Sequence, residues 1–556
     1  MKELYLDIME KALSAYSTQR IREYIDQVRE KGLKEHGFPR LASNIGILIA
    51  YGRRTDLMDT FLEIMDLCCE EMPKRRAANE FSIREVCCCL MLLEEKQTVS
   101  TQHLAKWKQQ LTDFDPWHFY NRLDDYSGRF ITNWTLFAVV SDYMRGVYCG
   151  IDTTEFVEKQ LPSQLRNLDE MGMYQDDNLG GSGNPIVYDL MPRLLFAFLL
   201  RAGYRGTYRA QIEEMLDKTA RLTLQMQSVT GELPFGGRSN QFLINDAMFA
   251  SYFELEAARF MEKGDAETAG EMKAAALLAA KNTLRYLAVD PISHIKNRYD
   301  IATKIGCEDY GYFNKYMITL ASNIYIGFLF GDDSIEPTTA PAQRGGYVAR
   351  TGESFHKTFL TAGGYHVELD TNADFHYDAK GVGRVHKAGC HTALCLAMPF
   401  PDHPNYLLEG ENPTAMSICP FIRQADALLV GAEKYAQYDF LECKETEHSA
   451  YAAFSVQMQD RSVIQGCTVS EKGVTVTQTG GDGLMLPVFA FDGEKETEIS
   501  IEKDSITVRY GGEYCRYRFL GEAREQGTFY NRNGRYRVFA VTTQEISIEM
   551  GHDNER

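Results

Sequence analysis

The densest chemistry in the chain lies in residues 231–246, GELPFGGRSNQFLIND. Gly236 and Gly237 let backbone approach closely or take a positive φ. Arg238 supplies a rigid fork of donors matched to a carboxylate. Asn240 and Gln241 can donate and accept hydrogen bonds, as hydroxyl-rich ligands require, and Asp246 adds a carboxyl. A connection that merely turned the chain would not need this set. The stretch reads as one wall of a pocket for a sugar or a uronate. The plainer alternative is a capped turn, with Arg238 paired to a local acid and Asn245 capping the next helix.

Four further clusters stand out. Asn133 sits beside Trp134 in the otherwise apolar FITNWTLFAVVSDYMRG, and a buried amide needs partners, either a ligand carboxylate or a core network. In 169–193, DEMGMYQDDNLGGSGNPIVYDLMPR, three polar residues (Asp176, Asp177, Asn178) precede GGSG and Tyr188 opens a helix. Long Gly-rich connections often carry binding and lid residues, so Tyr188 or Tyr174 is a proton-transfer candidate; a surface loop capped by Asn184 is the alternative. In 293–317, His294, Arg298, Glu308, Asp309 and Tyr310 crowd base, acid and anion-binding groups ahead of a helix. In 363–389, a strand from Tyr365 to Asp370 would put His366, Glu368 and Asp370 on one face by its period of two. His376 and His386 follow. The spacing matches no strict metal-ligand pattern, so these three histidines read as a substrate-facing rim, with no metal.

Stepping to the elements that hold these groups, apolar spacing of three and four predicts about twelve helices before residue 338, near 4–30, 41–52, 55–72, 79–95, 100–112, 131–149, 153–167, 186–202, 208–228, 245–262, 265–287 and 310–330. Paired antiparallel helices closing into an α/α toroid suit this rhythm; an open α-solenoid is the competing architecture. No fixed-period signature marks a TPR or ankyrin array. After TTAPAQRGG the chain turns to short β-branched and aromatic segments divided by Gly, Asp and Pro, predicting about ten or more antiparallel strands in a sandwich. The expected fold class is therefore α+β multidomain, with a helical toroid over 1–337 and a β-sandwich over 338–556.

The 556 residues carry a net charge of -19, which argues against nucleic acid or an anionic membrane as partner. A locally basic pocket inside an acidic shell still admits an anionic substrate. The first residues lack the apolar run of a secretory signal. Several of the 13 cysteines sit in runs, Cys68-Cys69 and Cys87-Cys88-Cys89, unsuited to disulfides. A cytoplasmic protein is expected, with homo-oligomerisation left open. P-loop, dinucleotide glycine fingerprint, G-x-S-x-G and H-E-x-x-H motifs are all missing, so no cofactor is expected.

A helical half carrying Asn133 and Tyr188, followed by a β-half carrying the His366–His386 cluster, resembles the heparinase II/III-like polysaccharide lyases. It also looks like uronide-active α/α-toroid glycoside hydrolases, including exo-acting β-glucuronidases. By order along the chain, the resemblance assigns the lyase Asn to Asn133, its Tyr to Tyr188 and its His to His366 or His376. GMYQDDN stands where that family has an Asp-Gly-Ser/Thr-aromatic run. The resemblance implies cleavage of uronic-acid-containing oligosaccharides by β-elimination: the carboxylate is neutralised by Arg238, Asn240 or Asn133, Tyr or His takes the C5 proton, and an acid protonates O4. The alternative is inverting exo-hydrolysis releasing glucuronic acid, with paired carboxyls drawn from Asp246, Glu308, Asp309, Asp176 and Asp177. A third reading is a non-catalytic glycan-binding protein.

Overall fold

The structure is a computed structural model describing residues 1–181, 183–425 and 427–553; Ser182 of the GGSG run lies outside them. Among the described residues fifteen α-helices precede the strands: α1 (Lys2–Ser14), α2 (Thr18–Lys31), α3 (Gly37–Ala50), α4 (Met58–Glu71), α5 (Ile83–Glu95), α6 (Thr101–Thr112), α7 (Pro116–Phe119), α8 (Trp134–Cys149), α9 (Thr154–Leu165), α10 (Ile186–Arg201), α11 (Arg209–Met226), α12 (Leu243–Glu262), α13 (Ala266–Leu287), α14 (Phe313–Phe330) and α15 (Pro341–Arg344). The single helix expected over 4–30 is two. They part at residues 15–17, where the Ser17 side chain accepts from the Arg20 N–H and caps α2.

Six of these helices form a closed ring. Each of α3, α5, α8, α10 and α12 packs against the next, and α14 returns to α3. The helical half is therefore an α/α toroid, and the open solenoid is set aside. Around it, α1 packs on α14, α4 on α3, α6 and α9 on α8, α11 on α10 and α13 on α12. The sequence distinguishes the layers. Ring helices are buried nearly all round, as in the largely apolar α3, GFPRLASNIGILIA, buried from Gly37 to Ile49, because both faces meet protein. The outer α2, TQRIREYIDQVREK, buries only Ile21, Ile25 and Val28. The cysteine runs are buried thiols of α4 and α5. No helix among the described residues is long and apolar enough to cross a membrane.

Beyond α15 the chain is antiparallel sheet. The first sheet is β1 (Tyr347–Arg350), β2 (Lys357–Ala362), β3 (Tyr365–Asp370) and β4 (Gly381–Lys387), paired in that order. Its register sets His366 opposite His386 and Glu368 opposite Arg384. Every residue of β2 and β3 is buried, because one face meets the strands that follow and the other meets the toroid's loops. Between Pro420 and His552 lie an eight-stranded and a five-stranded antiparallel sheet, which share with the first sheet a core running from Leu360 to Met550.

Candidate active site

A cavity of about 510 Å³ opens at one end of the ring. It is lined from the start of every ring helix: His36 before α3 and Arg40 within it, Phe81 before α5, Asn133 and Trp134 at α8, Tyr188 of α10, Ile244 of α12, Lys315 and Tyr316 of α14. The six ring helices thus run in one sense, with their N-termini around the cavity. The positive ends of six helix dipoles face the same space, which favours an anionic guest. The lining adds Lys34, Arg122 and Arg238 against the carboxyls of Glu35 and Asp176. A basic pocket therefore sits inside an acidic chain.

Residues singled out in the sequence meet here: Asn133 with its neighbour Trp134, Asp176, Tyr188, Arg238 and Tyr310. Asn133 donates its backbone and side-chain N–H groups to Asp176 Oδ1, both at 2.8 Å. Asp176 Oδ2 accepts from Arg238 Nη2 at 2.6 Å, and Asp177 accepts from Nη1. Burial pushes the Asp176 carboxyl up to about 7, with Arg238 and Asn133 pulling the other way. The Arg238 guanidinium lies over the Tyr188 ring, 4.5 Å from its centroid. The Tyr188 hydroxyl is 3.0 Å from Ser239 Oγ, which is 2.9 Å from the Tyr310 hydroxyl. Burial raises both tyrosines; Arg238 opposes it at Tyr188.

The segment presenting Arg238 and Ser239 is neither helix nor strand, and buried carboxylates hold it. Along its extended backbone alternate N–H groups each donate to a different acid: Leu233 to Asp246 (3.2 Å), Phe235 to Glu368 (3.1 Å), Gly237 to Asp378 (2.7 Å) and Ser239 to Glu308 (2.6 Å). Gly237 is required: at φ +73 any Cβ would also sit 2.7 Å from Pro185. Ser239 and Gln241 hold φ of 58 and 64, strained for residues with a side chain.

This pinning explains why several expected site residues lie outside the cavity. Asp246 (0 % exposed) shares Lys296 with Glu232, at 2.9 and 3.0 Å. Burial opposes charge on both; Lys296, His386 and Arg384 outweigh it at Glu232, whereas Asp246 is pushed up, the Glu232 charge adding to its burial. Glu308 is clasped by Arg532 through Nη1 at 2.9 Å and Nη2 at 2.6 Å. Asp309 is exposed beside it. His294 bonds the Gly311 carbonyl through Nε2 at 2.9 Å, and burial lowers it to about 4. Asn240 donates to the Pro234 carbonyl at 3.1 Å; Gln241 bonds Asn240 and Asn533, so both amides are spent on the loop and its anchor. Arg298 pairs with Glu494 at 3.0 Å, away from the cavity. His366 and His386 are buried between sheet and toroid, both lowered by burial, and His386 Nδ1 is 2.8 Å from Ser228 Oγ. His376 is exposed, with Nδ1 2.9 Å from the His403 carbonyl oxygen. Among the described residues no group of three or more His, Cys, Asp or Glu side chains is placed to hold a metal ion.

The structure also brings in residues not singled out before. Ser239 is an ordinary residue type whose signal is its backbone conformation. His36 and Arg40 come from a helix some two hundred positions earlier than Arg238 in the chain. Arg40 Nη1 is 2.9 Å from His36 Nδ1, and because arginine can only donate, neutral His36 carries its proton on Nε2. Burial, then Arg40, holds His36 well below its usual range.

No protein-family model matches the chain, and no curated protein matches it in sequence. In structure it is similar to a xanthan lyase from Paenibacillus, at 9% identity and a TM-score of 0.47, covering 93% of this chain and 53% of that one. The chain thus spans about half the length of that neighbour. It is also similar to a heparinase III (10% identity, TM-score 0.37, 96% of this chain and 89% of that one). A heparan sulfate lyase from Pedobacter heparinus is a third (10% identity, TM-score 0.28, 89% and 76%). The cavity residues, rather than these likenesses, carry the functional reading.

Proposed function

We propose that the chain is an enzyme that cleaves uronate-containing oligosaccharides by β-elimination. The observation that carries this reading is Arg238 over the Tyr188 ring, with the Tyr188 and Tyr310 hydroxyls joined through Ser239, in a cavity whose own carboxyls are already engaged. A C5 proton becomes removable only when negative charge building on the adjacent carboxylate is countered. Arg238, Asn133 and the ring-helix N-termini supply that charge and those donors. Tyr188, nearest the guanidinium, accepts the C5 proton. Tyr310 donates to the departing O4.

Hydrolysis would need two free carboxyls flanking the bond. Glu35 accepts from the Tyr24 hydroxyl and from the Gly37 N–H at 2.5 Å, and Asp246 and Glu308 hold the loop. One observation favours hydrolysis as the second reading: Asp176, at about 7, has the acidity of a general acid. The test is a panel of uronate-containing di- to tetrasaccharides, following ultraviolet absorbance and reducing ends together. Absorbance of a conjugated C4=C5 uronate, rising in step with reducing ends, is the expected result. Reducing ends without that absorbance would replace elimination by hydrolysis and move the chemistry to Asp176.

A further inference from the structure

Both tyrosines reach the same hydroxyl, that of Ser239. Its Oγ lies 3.0 Å from the Tyr188 hydroxyl and 2.9 Å from that of Tyr310, and all three residues line the cavity. Either oxygen of each pair can be the donor, so the three hydroxyls can carry a proton in either direction. Ser239 pays for this position with a left-handed φ of 58. The conformation is held from both sides of the residue. Its N–H donates to Glu308 Oε1 at 2.6 Å, and its carbonyl accepts from Asn245 Nδ2 at 3.0 Å. Glu308 is fixed in turn by Arg532, fully buried and 3.8 Å from the Tyr406 ring centroid. A loop serving only to turn the chain would relax to a right-handed conformation or use glycine here, as it does at Gly236 and Gly237.

Resting on the elimination reading, we infer that Ser239 is a proton relay joining Tyr188 to Tyr310, positioned by the Glu308–Arg532 pair. The C5–H bond breaks and its proton joins the Tyr188 oxygen as the Tyr188 proton passes to Ser239 Oγ. The Ser239 proton passes to Tyr310, and the Tyr310 proton joins O4. The C5–H electron pair becomes the C4=C5 double bond, and the C4–O4 pair leaves on O4. Every hydroxyl ends with the protons it began with, so neither tyrosine has to be ionised beforehand. That fits residues that burial keeps protonated. Ser239 acts through the tyrosines and needs no contact with substrate.

The test uses Ser239→Gly in the full chain, since glycine accepts the positive φ while deleting the hydroxyl. On an oligosaccharide from which the unchanged protein makes the unsaturated product, kcat should fall by about a hundredfold with KM within about twofold. Ser239→Thr should restore most of it, and the curved dependence of kcat on the deuterium fraction of the solvent should become linear in the glycine variant. Unchanged kcat in Ser239→Gly would overturn the relay while leaving elimination standing. A second measurement is independent of activity: ring-labelled tyrosine NMR, with Tyr188→Phe and Tyr310→Phe giving the assignments. Deleting the Ser239 hydroxyl should move both the Tyr188 and the Tyr310 resonances. If neither moves, the hydroxyl chain is not there, whichever way the protein cleaves its substrate.

Discussion

Replacing Arg238 with glutamine tests two consequences of its position at once. Its guanidinium serves Asp176 and Asp177, with a side chain 23% exposed against 1% for Asp176. A charge-assisted hydrogen bond to a bound carboxylate is worth about 1.5–3 kcal/mol, so one lost contact lowers kcat/KM by about ten- to a hundredfold. The second consequence concerns acidity. Burial already raises Asp176 to about 7 despite the opposing Arg238. The folded chain therefore binds this proton more tightly than the unfolded chain. The stability it contributes is full below the ordinary carboxyl range and is lost as the pH climbs towards about 7. Without Arg238 the folded pKa rises further and the loss continues above neutrality. Thermal midpoints of the two proteins should lie close at about pH 5 and separate between about pH 6 and 8. Asp378 and Asp169, also raised by burial, contribute equally to both and drop out of the difference. Unchanged kcat/KM would remove Arg238 from the pocket, and a midpoint gap that does not widen with pH would refute the account of Asp176.

Tyr188→Phe should lower kcat by about a hundredfold or more with little change in KM; a variant that loses binding but not turnover would make Tyr188 a wall of the cavity. Lys296→Met leaves Glu232 and Asp246 buried without their shared cation. It should cost about 3–5 kcal/mol in urea unfolding, and a cost under about 1 kcal/mol would mean the two acids take up protons at little expense. Asp309→Asn should leave turnover as it is, because this carboxyl is exposed and outside the cavity lining; a large loss of kcat would reopen the hydrolytic reading.

The division into a helical and a strand-rich part was legible because the two periodicities need no partner to be seen. Asn133, Tyr188, Arg238 and Tyr310 were legible as unusual groups at helix starts or in a Gly-rich connection. What sequence could not show is where a charge is spent. Asp246, Glu308 and His366 have the types a catalytic site needs, yet each is matched elsewhere: Glu308 and Asp246 by the distant Arg532 and Lys296, and His366 by its near neighbours Thr361 and Glu368 in the same sheet. Ser239 was invisible for the opposite reason, since nothing in its chemical type reports a left-handed backbone.

The Glu308–Arg532 pair also bears on the order in which a growing chain can become active. The ring closes only when α14 reaches α3, so the helices made first wait for one nearly three hundred residues later. The clasp on Glu308 comes from Arg532, 224 residues further along. Contacts of such long sequence separation form late, because the loop between them must first be closed. A nascent chain carries Arg238 and both tyrosines well before the serine between them is locked in place. Alignment of the site therefore waits on Arg532, and a chain stopped short of that residue would hold the parts of the site without their alignment.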